Sequence, residues 1–268
     1  MIWRSKDTMC AAWASELSTG IHSLDYEVFG NGKPALFLHG LLSTHREWLP
    51  LAHDLAKKGF RSYMPDLFGH GGSPRPDNIH LYTARYQIQS CMEWMESLTL
   101  EPRGINLIGH SFGGFLALHI ALKYGGAVDK IILINPLYEM GQFSTIHSFI
   151  FSKSNVFIRL WRRMQKMNVN SSRPRKFIRI PEKMGLCSPY ILNIVHDMDT
   201  EPVEFRNIER KALLIWGAKD KTLNPQSFHL LLEKLPDATG YCLAEVGHLP
   251  HIRNHQETSK TITEFLSS

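Results

Sequence analysis

Gly109-His110-Ser111-Phe112-Gly113-Gly114 is the stretch whose reading decides the fold of this chain. The apolar run Ile105-Asn106-Leu107-Ile108 leads into it and Phe115-Leu116-Ala117-Leu118-His119-Ile120-Ala121-Leu122 leads out, so a strand enters and a helix leaves. Glycines two residues before and two after Ser111 let a strained backbone approach the following helix without a Cβ clash. Ser111 therefore reads as an exposed nucleophile on a sharp turn. A G-x-S-x-G string is common by chance, and its weight depends on strand, helix and partner residues elsewhere in the chain.

Outward from that turn the same rhythm repeats. Ala35-Leu36-Phe37-Leu38, Arg61 to Asp66, Lys130 to Asn135, Ala212 to Gly217 and Gly240 to Val246 read as strands, several of them unbroken apolar runs suited to burial on both faces. Between them apolar residues recur at helical spacing. Trp48, Leu51, Ala52 and Leu55 form one such face, opened by Thr44 and Glu47 at capping-box spacing and closed by Gly59. Ile88, Cys91, Met92 and Met95 form a second, Phe228, Leu231, Leu232 and Leu235 a third, and Thr258, Ile262 and Phe265 a last. The alternation predicts an α/β fold with a mostly parallel central sheet flanked by helices. Leu17 to Phe29, with turn residues at Gly20 and Gly30-Asn31-Gly32, predicts an opening antiparallel hairpin. From 138 to 206 the strand runs lapse. That segment reads as an inserted helical cap, leaving 1–137 and 207–268 as the core.

With 268 residues, 43% hydrophobic and 21% charged, the composition is that of a soluble globular domain with one extensive core. The N-terminal stretch has no apolar run of signal-peptide length and no later segment approaches a membrane span, which predicts a cytoplasmic protein. Cys10, Cys91, Cys187 and Cys242 lie far apart without ligand-like spacing, arguing against a zinc site or a disulfide framework. A net charge of +5 is too mild to indicate nucleic acid. Gly69-His70-Gly71-Gly72 lacks the spacing and the following helix of a dinucleotide motif. The expectation is no cofactor and no metal.

A serine hydroxyl is a poor nucleophile at neutral pH, so acyl chemistry needs a base to take its proton and an acid to orient that base. His248 follows the last strand and Asp220 follows the strand ending at Gly217. Both thus lie at the carboxyl edge where Ser111 emerges. The order Ser111, Asp220, His248 is that of a nucleophile-elbow hydrolase. Asp197 and Asp199 are rival acids, while Asn135 after its strand is not a carboxylate. The oxyanion needs donors, and the backbone N–H groups of Phe112 and Leu41 are the candidates. His39, Asp66, Gly69, Gly71 and His110 read as structural.

His39-Gly40, Asp66-Leu67-Phe68-Gly69-His70-Gly71-Gly72-Ser73, Gly109 to Gly114, Trp216-Gly217-Ala218-Lys219-Asp220 and Gly247-His248 together resemble the α/β-hydrolase fold superfamily over nearly the whole chain from about residue 20. The resemblance implies a serine hydrolase with Ser111 as nucleophile, Asp220 as acid, His248 as base, and a cap inserted after Asn135. Relatives that cleave carbon–halogen bonds or epoxides carry aspartate at the nucleophile position, and serine here argues against both chemistries. The expected reaction is hydrolysis of a carboxylic ester with an apolar acyl or alcohol group. Carbon–carbon hydrolysis, thioester hydrolysis, acyl transfer and a slow-turnover ligand receptor are the alternatives, because one fold hosts many reactions.

The cap carries an apolar stripe of Val156, Phe157, Leu160, Trp161, Met164 and Met167. Basic residues Arg159, Arg162, Arg163 and Lys166 lie largely off it, and Arg173, Arg175, Lys176, Arg179 and Lys183 come next in the chain. The stripe suits a lid over the site. The alternative is peripheral contact of this basic segment with a membrane or an acidic acyl carrier. Leu42, Trp48, Phe157 and Trp161 are the candidates for the substrate pocket.

Overall fold

The computed structural model describes residues 23–98, 100, 104–144, 147–148, 153–169 and 186–268. The strands β1 (Tyr26–Gly30), β2 (Lys33–Leu38), β3 (Phe60–Pro65), β4 (Ile105–His110), β5 (Val128–Ile134), β6 (Lys211–Gly217) and β7 (Ala238–Leu243) form one sheet in the order β1-β3-β2-β4-β5-β6-β7. Only β1 runs antiparallel, against β3, and every other pairing is parallel. The longer helices are α1 (Leu49–Ala56), α2 (Ala84–Ser97), α3 (Phe112–Tyr124), α4 (Ser154–Val169), α5 (Ser227–Lys234) and α6 (His255–Ser267).

Alternation along the strands builds two cores. Leu36 and Leu38 of β2, Leu107 of β4, Ile131 and Leu133 of β5, and Leu214 and Trp216 of β6 face the side covered by α2, α3 and the 138–206 segment. Ala35, Phe37, Ile108, Ile132, Ile134, Leu213 and Ile215, one position out of step, face Leu51 and Leu55 of α1 and Ile262 and Leu266 of α6. A strand with apolar side chains on both faces is stable only at the centre of a doubly covered sheet, which fixes β2, β4, β5 and β6 there. Helix α3 is buried nearly all round, as expected of a helix with no polar face.

Two local expectations are corrected. β1 and β2 are joined by the tight Gly30–Lys33 turn but do not pair, because β3 lies between them, so the opening is a split β-unit and not a hairpin. The Leu17 to His22 part of that expectation lies outside the described residues. The helix expected from Thr44 begins as a single 3₁₀ turn, His45–Trp48, before α1. The Thr44 side chain makes no cap, and Glu47 turns inward instead.

Between β5 and β6 the described residues contain α4, single turns at Met140–Gln142, Ile191–Ile194 and Phe205–Asn207 and a 3₁₀ helix at Val195–Thr200, and no strand of the sheet. On α4 the side chains turned inward are Ile158 and Trp161, whereas Val156, Phe157 and Leu160 are 61%, 37% and 54% exposed. Of the described residues in the apolar stripe read from the sequence, Val156, Phe157 and Leu160 therefore face outward and Trp161 faces inward. No described helix is long and apolar enough to cross a membrane.

Candidate active site

Ser111 stands between the end of β4 and the first residue of α3 with φ 52° and ψ −118°, a conformation costing about 1–3 kcal/mol for a residue with a Cβ. Its neighbours hold it there. Ser111 N–H donates to the Ile134 carbonyl at 3.0 Å, and Leu137 N–H donates to the Ser111 carbonyl at 2.9 Å. A Cβ on Gly109 would lie 2.4 Å from the Gly113 carbonyl oxygen, and one on Gly113 would lie 1.9 Å from that of Leu38. The tight turn needs glycine at both places.

His248 Nε2 lies 3.1 Å from Ser111 Oγ and His248 Nδ1 lies 2.7 Å from Asp220 Oδ2. Three loops at one sheet edge thus deliver a continuous hydrogen-bonded chain from hydroxyl to carboxylate. Asp220 is held from four sides: besides His248, Thr222 and Leu223 N–H donate to Oδ1 at 2.7 and 3.1 Å, and Asn135 Nδ2 donates to Oδ2 at 2.6 Å. Burial disfavours its charge, but the His248 hydrogen bond and charge, with those backbone donors, outweigh burial and keep the carboxyl below its ordinary range. For His248 burial wins. Its pKa lies below the ordinary 6.5 although Asp220 pulls it upward, so the imidazole is neutral and ready to accept a proton at pH 7. The rival acids are committed elsewhere, Asp197 to Ala84 N–H at 2.9 Å and Asp199 to Met140 N–H at 3.1 Å.

Leu41, in the turn after β2, is partly buried, and Phe112 opens α3, where a first-turn N–H has no acceptor in its own helix. The next N–H, of Leu42, is taken by His70 Nε2 at 3.4 Å, and Leu42 itself has φ 62°. His70 Nδ1 donates to the Phe68 carbonyl at 3.1 Å, which fixes the tautomer, and burial pushes this histidine down to about 3. His39 works in the same way: Nδ1 donates to the Gly40 carbonyl at 2.8 Å and Nε2 accepts from Leu67 N–H at 2.9 Å. These histidines brace the turn that carries Leu41.

Of the pocket candidates, Leu42 lies in this turn and Trp161 is buried on the inward side of α4, while Phe157 is on its outward side. Trp48 is corrected. It is fully buried on the α1 and α6 side, 5.3 Å from Phe37 and stacked at 4.6 Å on His251, because the 3₁₀ turn directs it into the core. Arg162 pairs with Asp77 at 2.8 Å and lies over Tyr190, so its charge is answered within the fold. The side chains of Lys166 and Met167 and the basic run from Arg173 to Lys183 lie outside the described residues.

Sequence reasoning missed Asn135 as a donor to Asp220, and it missed a buried group behind the base. Glu47 Oε1 lies 3.3 Å from His110 Nδ1, and His110 Nε2 lies 2.9 Å from the His248 carbonyl oxygen. Glu47, His110 and His251 bring their donor atoms within 4.8 Å of one another, a spacing that could hold a metal ion. Burial opposes the Glu47 charge, yet His110 and His251 hold its carboxyl well below the usual range.

The family model described as "alpha/beta hydrolase fold" matches residues 33–155. "Lipase 3" of Moraxella sp. (strain TA144) is 24% identical over 247 residues, covering 87% of this chain and 77% of that protein. Among solved structures, the enol-lactonase from Burkholderia xenovorans LB400 superposes with a TM-score of 0.73 at 20% identity, covering 92% of this chain and 97% of the other. A thermophilic esterase from Thermogutta terrifontis superposes with a TM-score of 0.69 at 21% identity, covering 91% and 93%. The sheet order and these likenesses agree: the chain has the α/β-hydrolase fold.

Proposed function

We propose that this protein hydrolyses a carboxylic ester bearing an apolar acyl or alcohol group through an acyl-enzyme on Ser111. The hydrogen-bonded chain Ser111 Oγ, His248 Nε2, His248 Nδ1, Asp220 Oδ2 is the observation that carries this reading. Similarity to proteins named lipase and esterase supports the same class of reaction. His248 takes the Ser111 proton as Oγ attacks the ester carbonyl, and Asp220 stabilises the imidazolium that forms. The backbone N–H groups of Leu41 and Phe112 receive the oxyanion, each such donor being worth about 3 kcal/mol at the transition state. The imidazolium then protonates the leaving alcohol. Water, deprotonated by His248, attacks the acyl-enzyme and releases the acid and Ser111.

In this reading residues 138–206 are a lid over the serine turn, with Ile158 and Trp161 as its inward apolar contacts. The test is a panel of chromogenic acyl esters of increasing chain length, run on the wild type and on Ser111→Ala side by side. Turnover that peaks at one chain length and vanishes in the folded variant supports a serine esterase. Equal turnover in the variant overturns the reading.

A further inference from the structure

Glu47 is a carboxylate with only 4% of its side chain exposed, and the triad leaves it unused. Its two oxygens reach in two directions. Toward the turn after β2, Oε1 accepts from Gly40 N–H at 3.4 Å and Oε2 accepts from the Ser43 hydroxyl. Toward the base, Oε1 meets His110 Nδ1 at 3.3 Å and lies 3.7 Å from His251 Nε2. His110 then passes the contact on, its Nε2 donating to the His248 carbonyl at 2.9 Å.

The placement of protons makes this arrangement directional. The His248 carbonyl can only accept, so His110 Nε2 carries a proton. Glu47 and His110 are both buried, and removing one leaves a polar group of the other unpartnered at a cost well above that of a surface contact. Packing leaves it no slack. A Cβ on Gly40 would lie 3.0 Å from His110 Nδ1 and 3.1 Å from Ser111 Cβ, and His251 is clamped between Trp48 at 4.6 Å and His110 at 4.6 Å.

We infer that Glu47 is a positioning residue that ties the Gly40–Ser43 turn, which carries the Leu41 N–H, to the backbone of the base His248 through His110. Nucleophile, base and oxyanion donor sit on three separate loops. Glu47 fixes the distance between two of them. Errors of an ångström in such a distance cost on the order of a hundredfold in rate, which is why a buried carboxylate here acts on reactivity as well as on folding. The inference rests on the serine-hydrolase reading above.

A fluorophosphonate probe tests it without knowledge of the substrate. Ser111 Oγ attacks phosphorus, fluoride leaves, and His248 takes the serine proton. The labelling rate thus reads the base and the oxyanion turn directly. Glu47→Ala is expected to lower the maximal labelling rate of Ser111 about 30-fold, with half-saturation unchanged within twofold and an unaltered circular dichroism spectrum. Glu47→Gln, which keeps the volume and can still accept from Ser43 and donate to His110, is expected to recover to within about fivefold of the wild type. His110→Phe should match Glu47→Ala, and the double variant should be no slower than the slower single one. A folded Glu47→Ala labelled within threefold of the wild type, or losses that multiply in the double variant, overturns the inference while the serine-hydrolase reading stands. If Glu47→Ala fails to fold, His110→Phe carries the same comparison with the same threshold. A folded wild type that is not labelled at Ser111 overturns the reading and the inference together.

Discussion

The Asn135 side-chain amide donates to the oxygen of Asp220 that also faces His248 Nδ1, at 2.6 and 2.7 Å respectively. Asn135 Oδ1 meanwhile accepts from Gly217 N–H at 3.2 Å, so one amide locks the acid and the strand end that precedes it. Asn135 also has φ 39°, a conformation that asparagine and glycine tolerate better than other residues.

Asn135→Ala and Asn135→Gly should therefore share one defect and differ in another. Hydrogen bonds to a charged group contribute about 1.5–3 kcal/mol, and losing this one should lower kcat/KM by roughly tenfold or more in both variants. Only the alanine should carry the added strain of positive φ, about 1 kcal/mol, seen as the lower melting temperature of the two. Equal melting temperatures, or unchanged rates, would contradict this account.

In the proposed mechanism the pH dependence is set by His248 as the base. Its folded pKa is depressed below 6.5, and the base must be neutral, so kcat/KM should hold its plateau through pH 6.5 and fall only below it. Initial rates between pH 4.5 and 8 locate the acid limb. A midpoint above 6.5 would show that Asp220 outweighs burial at this ring.

Stability should fall with acid for a different reason. His39, His70 and His251 are buried and His119 is largely buried, and burial lowers their pKa values, to about 3 for His70 and about 4 for His119 and His251. Below about pH 6.5 the unfolded chain takes up protons that the native state cannot. Each such histidine then removes up to about 1.4 kcal/mol per pH unit until its folded pKa is reached. Urea midpoints at pH 7.5 and 5.5 should differ in favour of pH 7.5, and His70→Gln should flatten that slope if it folds.

Glycine substitutions give a control pair. Gly113→Ala drives a Cβ to 1.9 Å from a backbone oxygen and should prevent recovery of folded protein. Gly126→Ala meets nothing within 4 Å and should leave the melting temperature unchanged or slightly raised. Soluble yield and thermal melts distinguish the two.

That Ser111, Asp220 and His248 come within hydrogen-bond distance of one another is legible in the sequence because each lies just beyond a buried strand, and parallel strands deliver the loops at their carboxyl ends to one edge. Glu47 misleads for an equally physical reason. Its spacing from Thr44 fits a local helix cap, but its partners Gly40 and Ser43, His110 and His251 come from the turn after β2, the end of β4 and the helical turn Pro250–Arg253, which only the tertiary fold brings together. Periodicity marks α4 as amphipathic without saying which side is covered, and Ile158, outside the stripe, is the inward residue with Trp161. Asn135 reads in the sequence only as a non-carboxylate; that its amide supports the acid depends on β5 and β6 being neighbours.

That neighbourhood has a consequence for how the protein can change. β5 and β6 pair in register from Lys130↔Lys211 to Ile134↔Ile215, and Asn135 N–H donates to the Ile215 carbonyl at 2.9 Å. Everything between them is topologically a loop whose two ends are stapled to each other. Once the ends are fixed, doubling a loop's length costs only about 0.6 kcal/mol in closure entropy. The chain length between 138 and 206 can accordingly change at little entropic cost to the β5–β6 pairing, provided that the residues packed on the sheet, such as Ile158, Trp161 and Ile191, are kept. In the proposed mechanism the reacting groups therefore lie on the sheet's own loops, outside the segment that joins β5 to β6.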